Sequence, residues 1–345
     1  MNMTENDFGQ RGLVMSHLIG KFILAIALAV VPAAILAEPL RVVGNTQVFE
    51  SGALALAAET SPKGTVEFSL GGVPNLWDTG LPALTAVVTA GGPVAPTSHD
   101  RLADLAANAE TQFLRATVAH PDGRYLFTVV EGIYRIVGRK SKGIAHETDL
   151  KGKRIATYPG TSAAFYLRKV LERSGLTEKD VTIVQLPPKA CAEALIAGTV
   201  DAMSMWEPHA EDAIRTIGAD VITFQPADGY REIYSLYATA ATLNNPTKRA
   251  QIVAYVREMI LACKQGTTNP GRIQALLSVN TGRSKEDIAA AWNYNLLCAT
   301  SPNILDVMVE EEIWLAAQDG REPRTRQQIA TLIDSSVLDE AKRLK

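Results

Sequence analysis

The sequence predicts an α/β protein built as two lobes, and two observations carry that expectation. Between about residues 125 and 245, short apolar runs alternate with stretches of helical length, the spacing of parallel βαβ units. From about Pro246 the pattern is almost wholly helical. An α/β chain that ends in helices suits two lobes whose C-terminal segment returns to brace the first. The expected partition is lobe 1 over 38–138, lobe 2 over 139–237, and a helical return to lobe 1 over 238–345.

Each element has a local reason. Leu40–Val43 is a short apolar run ended by Gly44, with helical spacing over Gly52–Ala58. Thr65–Leu70 reads as a strand ended by Gly71-Gly72, and Trp77–Ala90 as a helix broken by Gly91-Gly92-Pro93. Ala103–Ala107 is the next strand, and Glu110–Ala119 is a helix stopped by Pro121-Asp122-Gly123. Strands at Tyr125–Val129 and Ile133–Val137 follow. Arg154–Thr157 is a strand, and Pro159-Gly160-Thr161-Ser162 opens a helix reaching Ser174. Val181–Gln185, a helix over Lys189–Ala197 and a strand over Val200–Met205 complete the alternation. Helices are expected over 247–265, 270–279, 284–299, 303–318 and 325–344.

The N-terminus carries a compartment signal. Lys21 precedes the apolar run Phe22–Ala37, interrupted only by Pro32. That run is short for a membrane span of about 20 residues. A basic start, a short apolar stretch and a small residue at its end describe a secretory signal peptide over 1–37, cut near Ala37. Met15 as the start would give the tidier basic region. With 34 Lys and Arg against 37 Asp and Glu, the chain is mildly acidic, which leaves no electrostatic footprint for nucleic acid or anionic lipid. Of the three cysteines, Cys263 and Cys298 are the expected pair if two bond in an oxidising compartment, leaving Cys191 over; free buried cysteines are the competing reading. Neither their spacing nor that of the five histidines suits a metal centre.

Two stretches carry a resemblance. One is Asp149-Leu150-Lys151-Gly152-Lys153-Arg154-Ile155-Ala156 with Pro159-Gly160-Thr161-Ser162-Ala163; the other is Gly198-Thr199-Val200-Asp201-Ala202 with Trp206-Glu207-Pro208. They resemble the second lobe of ABC-transporter substrate-binding proteins of the nitrate/sulfonate/taurine type, a group that includes binders of thiamine-pyrimidine precursors. The likeness covers about 125–245 well and 40–124 less well, where Asn108-Ala109 replaces the glycine usual nearby. It implies the type 2 periplasmic-binding fold, a small-molecule ligand held between two closing lobes, and an inner-membrane permease as partner. It further implies a periplasmic monomer with no cofactor and no catalytic role. Two alternatives stay open: a sensor subunit that presents its ligand to a membrane receptor, and an enzyme like the pyrimidine-precursor synthase of this fold. That synthase's cysteine-rich metal motif is absent from the sequence.

In open α/β sheets, ligands bind beyond the carboxyl ends of strands. Gly160, Thr161 and Ser162 lie at such an end, where free N–H groups and the helix dipole favour an electron-rich group. A plain helix cap is the competing reading. Trp206 and Glu207 follow the strand Val200–Met205, and a Trp there can cover a planar or cationic group. Asn108, Glu110, Thr111 and Gln112 occupy the matching loop of the first lobe, where a capping box competes. Gln47 and Phe49 qualify by position after the first strand, and Tyr158 by adjacency to the Pro159-Gly160 turn. Glu110 and Glu207 make a bare anion unfavourable, so the expected solute is small and nitrogen-bearing, aromatic or zwitterionic. A sulfonate or nitrate would require Arg231 or another base in the cleft. Cell fractionation and N-terminal sequencing check the export expectation: a periplasmic form starting at or near Glu38 is expected, and a cytoplasmic form retaining Phe22–Ala37 would defeat it.

Overall fold

The structure, a computed structural model, describes residues 38–79, 88–89, 92–93, 101–225 and 230–344. The proposed signal segment 1–37 lies outside them, as does most of the helix expected over Trp77–Ala90. The chain first lays down β1 (Leu40–Gly44), α1 (Gly52–Thr60), β2 (Val66–Leu70), the short pair β3 (Val88–Thr89) and β4 (Gly92–Pro93), β5 (Leu105–Ala109), α2 (Glu110–Ala119) and β6 (Gly123–Gly132). It then crosses to β7 (Arg135–Arg139), β8 (Arg154–Thr157), α3 (Ser162–Arg173), β9 (Thr182–Gln185), α4 (Pro188–Ile196), β10 (Ala202–Met205), α5 (His209–Ile217) and β11 (Val221–Phe224). It returns as β12 (Glu232–Thr239), followed by α6 (Ala240–Asn244), α7 (Pro246–Thr268), α8 (Gly271–Thr281), α9 (Lys285–Ala291), β13 (Asn295–Ala299), α10 (Ile304–Gln318), α11 (Arg326–Ala330) and α12 (Ser336–Arg343).

Two mixed sheets result. The first runs β13-β6-β12-β5-β1-β2, with β1 parallel to β2 and β5, and β12 antiparallel to β5 and β6. The second runs β11-β7-β10-β8-β9, parallel at β10-β8-β9 and antiparallel at β11-β7-β10. The chain passes between them twice, after Gly132 and after Phe224. Helices cover both faces of each sheet, so interior strands read as continuous apolar runs. All five residues of β1 and all eight of β12 are buried. On one face of the first sheet Val42, Phe127 and Leu236 pack with Ile252, Val256 and Met259 of α7. On the other face Phe113 stacks on Tyr237 at 4.2 Å, beside Trp314 of α10. Among the described residues no helix is long and apolar enough to cross a membrane.

Three expected elements shift. The strand expected at Ala103–Ala107 lies two residues further on. The helix expected over 284–299 stops at Ala291, and Asn295–Ala299 instead pairs antiparallel with β6 as the edge of the first sheet. The helix expected over 325–344 is two short helices, because Ile333 between them bridges to Tyr125. That pairing takes Leu332 O from the helix pattern as acceptor for Tyr125 N at 2.7 Å. In each C-terminal case a tertiary hydrogen-bond partner outcompetes the local helical preference.

Cys263 of α7 and Cys298 of β13 form a disulfide that ties the bracing helix to the sheet edge, while Cys191 is free and buried. The loop it closes has a sequence separation of 35 residues, for which the chain-entropy treatment gives about 3–4 kcal/mol. Cys263→Ala/Cys298→Ala is therefore expected to lower unfolding stability by that order in urea titration. Three titratable thiols in the unreduced denatured protein would show that the bond does not form.

Candidate functional site

Four strands end at one place. The segments after β1, β5, β8 and β10 converge on a cavity of roughly 230 Å³. The first sheet supplies Asn45, Val48 and Glu50 after β1, Asn108 and Ala109 of β5, Gln112 of α2, and Glu232 and Tyr234 of β12. The second supplies Tyr158, Thr161 and Ser162 between β8 and α3, Pro188 of α4, and Trp206 after β10. Tyr134, on the first crossing, completes the wall. The space suits a small molecule; it falls below the ~300–1,000 Å³ of drug-sized sites.

The N-termini of α2 and α3 face each other across it. Thr111 Oγ1 and Ser162 Oγ lie 3.0 Å apart, and Gln112 Nε2 donates to Gly160 O at 3.0 Å. Gly160 has φ +64, a left-handed conformation that favours glycine, while a Cβ there would meet only the movable end of Arg115, at 2.8 Å. Thr161 does not cap its own helix; its hydroxyl donates to Tyr158 O at 2.7 Å. Trp206 packs against three apolar clusters and meets Tyr134 edge-on, with ring centres 6.5 Å apart.

Buried carboxyls dominate the electrostatics. Glu50 and Glu232 both line the cavity, close enough for each to act on the other's ionisation. Two carboxyls in such contact hold a proton between them. Burial pushes Glu50 up to about 7 and Glu232 well above the usual carboxylate range; Glu50 adds to the rise of Glu232, while Glu232 eases the ionisation of Glu50. The Tyr294 hydroxyl donates to Glu50 Oε1 at 3.2 Å. A second pair, Glu110 and Glu311, sits behind the wall, both raised by burial and both within hydrogen-bond reach of the Tyr230 hydroxyl, which donates to one of them at a time. No Lys or Arg lines the cavity among the described residues.

Of the residues nominated from sequence, Asn108, Gln112, Tyr158, Thr161, Ser162 and Trp206 come together in this lining. Thr111 and Gly160 stand just behind it through the contacts above. Four others point elsewhere. Gln47 is exposed, and Phe49 is buried in the first-sheet core, edge-on to Tyr294. Glu110 is fully buried with Glu311, and Glu207 is bonded to Arg135 and to Glu211 N in a separate small recess. Arg231 forms an ion pair with Glu131 at 3.2 Å, outside the cavity. Sequence reasoning missed Asn45, Glu50, Tyr134, Glu232 and Tyr234. The one local clue was a carboxylate set against apolar neighbours, in Val48-Phe49-Glu50 and Glu232-Ile233-Tyr234.

Residues 101–268, just under half of the chain, match the model of the family described as NMT1/THI5 like. A Bacillus subtilis (strain 168) protein named for aliphatic-sulfonate binding is 31% identical over 131 residues, 38% of this chain and 40% of that protein. The chain thus aligns with less than half the length of that curated relative. The alkanesulfonate-binding protein SsuA of Xanthomonas axonopodis pv. citri, solved with bound MOPS, superposes with a TM-score of 0.61 at 18% identity, over 86% of this chain and 98% of that one. The desulfurization enzyme DSZB superposes with a TM-score of 0.55 at 15% identity, over 88% and 98%. The fold is therefore the two-lobed architecture of SsuA-type binding proteins, and that architecture also houses an enzyme. The sequence matches, to that family model and to a protein named for aliphatic-sulfonate binding, are of the kind the resemblance implied.

The carboxyl pairs set a pH dependence. A carboxyl whose folded pKa is raised contributes stability that is fully present below the unfolded value and lost as pH rises through the folded one. Glu50, Glu232, Glu110 and Glu311 all act in this sense. Glu312, held down to about 2 by Arg324 and Arg321 against its burial, acts oppositely and only in strong acid. Denaturant titrations are expected to show a loss of at least about 2 kcal/mol between pH 5.5 and 8.5, and Glu50→Gln/Glu232→Gln should reduce it, leaving the part due to Glu110 and Glu311. Stability rising over that range would contradict the assignment.

Proposed function

We propose that this chain is the exported solute-binding component of an ABC importer, capturing a small nitrogen-bearing solute, aromatic or zwitterionic, by closure of its two lobes. The lobes are those built on the two sheets, with the crossings after Gly132 and Phe224 as the hinge. The observation that carries this reading is the cavity itself. Strand ends from both sheets meet on it, two carboxyls and several amides and hydroxyls line it, and no cationic side chain does, among the described residues. A cleft that encloses a ligand between lobes needs no reacting group, and the lining contains no nucleophile paired with a base. A permease in the inner membrane is the partner this role requires.

A second reading has an observation behind it. The relatives named above bind sulfonates by name, and the N-termini of α2 and α3 offer N–H groups to an anion. The Glu50–Glu232 pair weighs against it, since a bare anion would be desolvated beside carboxyls.

Native mass spectrometry of gently purified protein, followed by release and identification of the bound compound, decides between the two. A nitrogen-bearing solute is expected; an alkyl or aryl sulfonate would establish the second reading. Small-angle scattering is expected to show compaction on adding that solute, and a particle of unchanged size would count against hinge closure. Trp206→Ala is expected to weaken binding roughly 10- to 100-fold. Because Trp206 also packs against three apolar clusters, it should lose about 2–4 kcal/mol of stability as well. Trp206→Phe separates the effects by retaining most of the packing.

A further inference from the structure

Glu50 and Glu232 are 1% and 4% exposed, yet both face the cavity. They arrive from different elements, Glu50 from the turn after β1 and Glu232 from the first residue of β12. Glu50 Oε1 takes the Tyr294 hydroxyl, while Glu50 Oε2 finds no N–H or O–H donor in the protein. Glu232 is in hydrogen-bond contact with Tyr134, whose hydroxyl also meets Ser162. Buried acceptor capacity is thus left over on a residue that lines the ligand space. Arg135 is engaged by Glu207 and Glu211 and cannot neutralise the pair. The titratable groups facing it are Tyr134, Tyr234, Tyr294, Glu110 and Glu207. An aromatic wall of Trp206 and Tyr134 stands beside it.

We propose that the Glu50–Glu232 pair is the recognition point for a planar cation carrying N–H groups along one edge, of amidinium or guanidinium kind, which replaces the proton shared by the two carboxyls. This rests on reading the cavity as a solute site and names the class of solute. The planar N–H edge matches two adjacent carboxyl groups, and the aromatic wall stabilises the cation's charge. The balance is simple. Above pH 7, with Glu50 ionised and Glu232 still protonated, the free site holds one carboxylic acid and one carboxylate; the complex holds two carboxylates and the cation; one proton leaves to solvent and no covalent bond among heavy atoms changes. Affinity for a permanently charged ligand therefore rises with pH, by roughly tenfold per unit while the pair retains its proton, and levels once it is lost.

The test is calorimetry at pH 8 in two buffers of different ionisation enthalpy. The probes are acetamidinium, guanidinium and benzamidinium, with benzamide and benzenesulfonate as neutral and anionic counterparts. At least one cation is expected to bind with release of about one proton, and more tightly than benzamide or benzenesulfonate. Glu232→Gln is expected to lose roughly 10- to 100-fold of that affinity and the proton release with it. Melting curves establish that the variant folds, and Glu50→Gln serves if it does not. Benzenesulfonate binding more tightly than every cation would overturn this inference and leave the solute-binding role standing. A cation bound without proton release, unchanged affinity in both Gln variants, or no cation binding would equally overturn it; the co-purified solute then judges the binding role by itself.

Discussion

A carboxyl sealed from water with no cation beside it keeps its proton, and two pairs of such groups sit where the sheets of this protein meet. Glu50–Glu232 faces the cavity; Glu110–Glu311 lies behind it under the Tyr230 hydroxyl. The Tyr230 ring stacks on Tyr134 with centres 6.2 Å apart and meets Phe165 of α3 edge-on at 5.1 Å. One residue before β12 thereby joins α2 and α10 of the first lobe to the first crossing and to α3 of the second. Burying these acids is tolerable only because each gains a partner in its neutral or shared-proton form. Where a cation is at hand the arrangement differs: Glu207 has Arg135, and Glu312 has Arg321 and Arg324.

The rim of the interface works by weaker means. Arg283 holds Asp212 through two bonds of 2.7 and 2.6 Å, Arg215 pairs with Asp287, and Lys169 lies 2.5 Å from Glu310. These pairs link the second lobe to the C-terminal return, but they are partly exposed, and such pairs contribute about 0–1 kcal/mol each. The centre, with its stacked tyrosines and buried carboxyls, supplies much of the polarity of the cavity.

Much of this was legible in the chain order. The alternation over 125–245 is the second sheet with its helices, because each apolar run is short enough to be only a strand and each turn carries its own Gly or Pro. Gly160-Thr161-Ser162 and Trp206 line or support the cavity because a strand's carboxyl end is a local feature, set by where the apolar run stops. The misplaced elements share a cause. Residues 295–299 carry no pattern that separates strand from helix, and only the free edge of β6 makes them a strand. Residues 331–335 interrupt a helix because Tyr125 offers backbone partners from far away in the chain.

The expectation of a nitrogen-bearing solute arose from two carboxylates assigned to the cleft, Glu110 and Glu207, yet the carboxyls that line it are Glu50 and Glu232. Sequence alone determined the α/β class, the helical return and the loops at strand ends, since these follow from apolar periodicity and turn chemistry within a few residues. Tertiary structure alone decided which acids face the cavity, which receive an arginine, and that Tyr134 and Tyr294 stand beside the chosen pair. Those outcomes depend on how two crossings and a returning strand bring distant side chains together, and no local pattern encodes the distance between residues that far apart in the chain.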